Sequence, residues 1–113
     1  MKIEVRGRNT PVTDGIRVHV EDRFRKVAKQ VSDLAQLDVE LLVEKNPAIA
    51  EDKIEEGTLY LKGTTLRARE ASADLEHSID LCADKLARQV KRHREKLRGR
   101  REGAPGRAAE ATP

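Results

Sequence analysis

At 113 residues, with hydrophobic residues at 37% and charged residues at 38%, the chain has room for one modest core and fits a single domain of roughly 100 to 150 residues. Its one cysteine, Cys82, excludes an internal disulfide, and no apolar run has the length of a signal peptide or of the roughly 18 residues that span a bilayer, so a soluble protein of the reducing cytoplasm is expected. The net charge of +3 is unevenly spread: residues 1–84 hold 13 Lys/Arg against 17 Asp/Glu, while residues 85–101 hold nine against one, which points to a polyanion touched by one segment.

Met1 to Arg8 alternates Ile3 and Val5 with Lys2, Glu4 and Arg6, the two-residue period of a half-buried strand. Asn9-Thr10-Pro11 breaks it, and Thr13 follows as a candidate N-cap with Asp14 in the first turn. The spacing predicts a helix to about Val31, with Ile16, Val20, Phe24, Val27 and Val31 within an arc of about 80°. Arg25 and Lys29 face away from that stripe, and Arg17 and Lys26 flank it. Leu37, Val39, Leu41 and Val43 make a second strand, and Asn46-Pro47 opens a loop. A third strand, about Ile54 to Lys62, turns Leu59 and Leu61 inward. After a turn at Gly63-Thr64, a fourth points Leu66 and Ala68 inward and Arg67 and Arg69 outward.

The second helix is predicted over Ala71–Arg98, capped by Ser72, with Leu75, Ile79, Cys82, Leu86, Val90 and Leu97 as its buried stripe. Gly99 to Pro113 shows no period and reads as a disordered tail or linker. The order is β-α-β-β-β-α. It implies an α+β fold over residues 1–98: a four-stranded sheet, strands one and two parallel and the rest antiparallel, with both helices packed on one face.

Charge changes sign along the second helix. Asp74, Glu76, Asp80 and Asp84 occupy its first half, and Lys85, Arg88, Lys91, Arg92, Arg94, Lys96 and Arg98 its second. Complementing the helix dipole accounts for two or three cations in the last turn, not for nine in 17 residues. Counterion release from phosphates makes such a segment a nucleic-acid contact. A membrane surface fits less well, because the apolar stripe is narrow, committed to the sheet and without Trp. Only Phe24 and Tyr60 are aromatic, so base stacking on rings is not expected, and recognition falls to phosphates, 2′-hydroxyls and the shape of folded RNA. No helix-turn-helix pair or zinc-finger spacing favours DNA reading.

Nothing in the chain assembles a catalytic centre. His77 and Cys82 are five residues apart and diverge on a helix, which makes a poor metal pair, and no phosphate-binding glycine loop or nucleophile motif occurs. Cys82 lies on the buried stripe, where a thiol is packing. Neither an enzyme nor a metal, cofactor or small-molecule substrate is expected.

The stretches Thr13-Asp14-Gly15-Ile16-Arg17-Val18-His19-Val20 and Asp74-Leu75-Glu76-His77-Ser78-Ile79-Asp80, continued by Lys85-Leu86-Ala87-Arg88-Gln89-Val90, resemble the bacterial ribosome hibernation-promoting factors, also called ribosome-associated inhibitors, over about residues 1–98. Leu75 and Ser78 depart from the aromatic and alanine more usual there. The resemblance implies a domain that sits on 16S rRNA in the mRNA and tRNA channel of the small ribosomal subunit, inhibits translation and protects idle ribosomes. It places the family's basic positions on Arg17, Arg23, Lys26 and Lys29 in the first helix and on Lys85, Arg88, Arg92 and Lys96 in the second. Lys91 joins this set by charge, and Arg23, leaning towards the buried stripe, also suits packing or an ion pair. Long members carry a further domain that pairs ribosomes into dimers, whereas this domain is expected to act as a monomer. Apart from the resemblance, a general binder of double-stranded or structured RNA and a protein-interaction module with a solubilising basic segment both remain open.

Overall fold

The alternating segments become four strands, β1 (Lys2–Arg8), β2 (Gln36–Val43), β3 (Lys53–Leu61) and β4 (Thr64–Ser72), in a computed structural model that describes residues 1–103, with side chains to Gly99. They form one sheet in the order β1-β2-β3-β4, with β1 parallel to β2 and the other two pairings antiparallel. The inward row of β2, Leu37, Val39 and Leu41, is buried, as is Leu59 of β3. The opposite sheet face carries the charged alternates, where Arg6, Glu40, Glu56 and Arg69 stand in register across all four strands. Between β3 and β4, Leu61 pairs with Thr64, and Gly63 makes the turn at φ 80°, a backbone region that glycine enters without a Cβ penalty.

Helices α1 (Asp14–Arg23), α2 (Arg25–Ala28) and α3 (Leu75–Gly103) cover the inner face. Thr13 caps α1 as expected, its Oγ1 accepting from the Ile16 N–H at 3.1 Å. The helix predicted as continuous to Val31 is instead interrupted at Phe24 (ψ 4°) and ends at Ala28. The N–H groups of Val27, Gln30 and Val31 each bond to the carbonyl three residues back, so this segment is wound partly in tighter turns, which a stripe at 20, 24, 27 and 31 does not distinguish from α-helix. Val20, Phe24 and Val27 nonetheless reach the core, where they join Ile79, Cys82, Leu86 and Val90 of α3, all fully buried.

Helix α3 begins three residues after the expected cap, because β4 claims Ser72. The start is fixed by Asp74 Oδ1, which accepts from the Glu76 N–H at 3.3 Å. The Ser78 hydroxyl donates to the Lys53 carbonyl at 2.6 Å and lies 2.7 Å from the Ser72 Oγ. Ser78 thus ties the helix to the ends of β3 and β4. At its other end α3 runs through Gly103 rather than stopping at Arg98, so residues 99–103 of the expected disordered tail are helical and its remainder lies outside the described residues. Leu97, assigned to the buried stripe, is 38% exposed. At about 1.5 Å per residue a helix of 29 residues is about 43 Å long, against about 30 Å for a nine-residue strand, and Leu97 falls on the overhang. No described helix is long and apolar enough to cross a membrane.

Candidate nucleic-acid interface

Because α3 packs on β3 and β4 along one side and against α1 and α2 along another, its polar residues divide between two flanks. On the flank towards α1 and α2, Asp80 and Asp84 of its first half are matched by cations. Asp80 Oδ1 lies 2.9 Å from His19 Nε2 and 3.1 Å from Arg23 Nε. Lys26 pairs with Asp84, and Arg94 donates to Gln30 Oε1 at 3.3 Å. These contacts tie the helices together at half-exposed positions, where each ion pair is worth at most about 1 kcal/mol.

The other flank overlooks β4 and is open. Between them runs a groove of about 460 Å³ whose helical wall carries Lys85, Arg88, Gln89, Arg92, His93 and Lys96. Thr64 and Leu66 of β4 form its opposite side. Gln89 Nε2 donates to the Arg67 carbonyl at 2.8 Å and fastens the helix to the strand. Among the described residues no acid lines the groove. Lys85 Nζ lies 3.4 Å from Glu70 Oε2, and among the described residues Arg88, Arg92 and Lys96 have no carboxylate partner. Four cations spaced over Lys85–Lys96 line about 16 Å of helix, an electropositive strip on which phosphates can replace water and counterions.

The structure therefore separates the residues that the resemblance and charge grouped. Lys85, Arg88, Arg92 and Lys96 come together at the groove. Arg23 and Lys26 are engaged with Asp80 and Asp84 on the other flank, and Arg17, Lys29 and Lys91 are exposed outside the groove. Thr64, Leu66, Gln89 and His93 were not recognised as groove residues from the sequence. His93 and Gln89 follow the spacing of Lys85, Arg92 and Lys96 along one helical flank, but which flank meets β4 depends on tertiary packing.

One buried group has no counterpart in the sequence reading. Glu55 continues the inward row of Leu59 and Gly57, is fully buried, and among the described residues neither of its carboxyl oxygens has a hydrogen-bond partner. Burial pushes its carboxyl up to about 8, the Cys82 thiol beside it pulls the other way, and the charges of Glu56 and Glu70 add to the rise. Burial also pushes the Cys82 thiol up, well beyond its ordinary range, which disfavours the thiolate. Gly57 makes the space: a Cβ there would lie 2.9 Å from Leu86 Cδ1 and 3.2 Å from Cys82 Sγ.

Residues 3–98 match the family described as sigma 54 modulation protein / S30EA ribosomal protein. The chain is 37% identical over 114 aligned residues to the ribosome hibernation promotion factor of Picosynechococcus sp., covering 100% of this chain and 59% of that protein. It is 35% identical over 101 residues to the protein of the same name from Lactococcus lactis subsp. cremoris, covering 86% of this chain and 51% of the relative. The chain thus spans between half and three-fifths of the length of these curated relatives. Among solved structures, the Thermus thermophilus Protein Y N-terminal domain superposes with a TM-score of 0.71 at 30% identity, over 82% of this chain and 99% of that domain. With this sheet order, these helix-opening segments and this extent of match, the chain belongs to the sigma 54 modulation protein / S30EA ribosomal protein family, whose members include the ribosome hibernation promotion factors.

Proposed function

We propose that this domain is a ribosome hibernation module that binds 16S rRNA in the mRNA and tRNA channel of the small ribosomal subunit and thereby inhibits translation. The observation that carries the reading is the acid-free groove flank of α3, where Arg88, Arg92 and Lys96 have no carboxylate partner among the described residues and Lys85 has only an exposed pair to exchange. Membership of a family that includes proteins named ribosome hibernation promotion factors supports the choice of ribosome over other polyanions. The module acts by occupancy, without a catalytic step, cofactor or metal, in the cytoplasm where ribosomes are. It binds as a monomer. Arg17, Lys29 and Lys91 supply secondary phosphate contacts, while Arg23 and Lys26 contribute only by exchanging Asp80 and Asp84 for phosphate.

Co-sedimentation with purified 30S subunits tests this. The protein should travel with subunits at low salt, and with about four phosphates neutralised the log–log salt slope should be roughly −3 to −4. Combined Arg88→Glu, Arg92→Glu and Lys96→Glu should abolish co-migration. Binding that survives this reversal overturns the assignment. A plain RNA duplex that competes as well as subunits do would favour a general binder of structured RNA.

A further inference from the structure

The groove is not only a charged strip but a concave site with a floor, and its composition differs from what phosphate contact alone requires. Its volume of about 460 Å³ falls in the range of roughly 300–1,000 Å³ typical of small-ligand sites. That volume is of the order of one nucleotide and too small for a paired duplex. The rim is cationic. The floor pairs an apolar side chain, the half-buried Leu66, with the half-buried imidazole of His93. Two polar groups stand between rim and floor: the Thr64 hydroxyl, and Gln89, whose Nε2 is held by the Arg67 carbonyl, so that its Oε1 is fixed in orientation and available as an acceptor.

We propose, resting on the RNA-binding reading above, that this groove receives a single unpaired nucleotide of the bound RNA. Its base lies against Leu66 and His93, and its flanking phosphates lie on Lys85, Arg88, Arg92 and Lys96. Unstacked bases in RNA are held by stacking on planar side chains, histidine included, and by hydrogen bonds to their edges. Gln89 Oε1 suits a base amino group, and the Thr64 hydroxyl suits either a base edge or a 2′-hydroxyl. Phe24 is in the core and Tyr60 is on the far face of the sheet, so neither ring competes for this role. His93 supplies the one planar side chain of the floor.

The test uses the whole chain with two probes of equal length: a single-stranded oligoribonucleotide carrying 2-aminopurine, and a blunt RNA duplex. The single strand should bind with quenching of the 2-aminopurine emission. His93→Ala and Leu66→Ala should each weaken it roughly 5- to 150-fold, the range set by base stacking, and leave duplex binding within about twofold. His93→Phe should restore both affinity and quenching, which separates stacking from a structural defect, and circular dichroism of each variant checks the fold. Equal losses for both probes, no loss in His93→Ala, or no recovery in His93→Phe would overturn the subsite. The two readings fail separately, because unchanged His93→Ala binding alongside 30S binding that still needs Arg88, Arg92 and Lys96 removes the subsite alone.

Discussion

Replacing Glu55 with glutamine keeps the shape of the side chain and removes its titration, which isolates the cost of a carboxyl enclosed between β3 and α3. The group has an ordinary value of 4.5 and is raised to about 8 in the folded protein. Between these values the folded state holds a proton that the unfolded chain has released. Stability must therefore fall as pH rises, by about 1.4 kcal/mol per pH unit, until it levels off above about 8. From about pH 5.5 to about pH 7.5 the loss is about 3 kcal/mol, a large part of the roughly 5–15 kcal/mol that holds a domain folded. Urea unfolding of wild type and Glu55→Gln across this range is the assay, and the difference between the two curves cancels every other titrating group. The variant's stability relative to wild type should rise by about 3 kcal/mol between about pH 5.5 and about pH 7.5. Parallel curves would refute the argument, because they would mean that Glu55 titrates alike in the folded and unfolded chain.

Three further outcomes follow from packing. Gly57→Ala places a methyl 2.9 Å from Leu86 Cδ1 and should cost about 1–3 kcal/mol in denaturant unfolding, as overpacking does. Thr13→Ala removes the cap of α1 and should cost about 1 kcal/mol in the same assay, with Thr13→Ser close to wild type. Asp84→Asn releases Lys26; stability should change by no more than about 1 kcal/mol, whereas RNA affinity should rise in a filter-binding titration because Lys26 no longer has to exchange a carboxylate for a phosphate.

The sheet and both apolar stripes were legible because each follows a single period that neighbouring elements do not alter. Ile3, Leu37, Leu59 and Ala68 keep their strand alternation in the structure, and Val20, Phe24 and Val27 keep their stripe although the helix bearing them is not continuous. Element ends were less legible, since both serines near the start of α3 are occupied by tertiary partners, Ser72 as the last residue of β4 and Ser78 on the Lys53 carbonyl. Glu55 shows where composition masked a pattern that was present: the two-residue step back from Leu59 through Gly57 leads to it, and its charge argued against an inward position. An ionised carboxylate would not be buried there, but a protonated one can be.

The candidate interface illustrates a different limit. A count of cations along α3 cannot tell which of them face acids across a helix contact, because Asp80 and Asp84 are only a turn apart on the helix yet select partners from α1 and α2 more than 50 positions away. The acids of the first half of α3 do more than complement its dipole. Asp80 and Asp84 hold Arg23 and Lys26 against the body of the domain, whereas among the described residues Arg88, Arg92 and Lys96 on the groove flank have no carboxylate partner. A phosphate approaching Arg23 or Lys26 must displace a carboxylate, whereas one approaching Arg88, Arg92 or Lys96 displaces only water and mobile ions. This difference in local competition, rather than the +3 net charge, is what favours the surface between α3 and β4 for the polyanion contact proposed above.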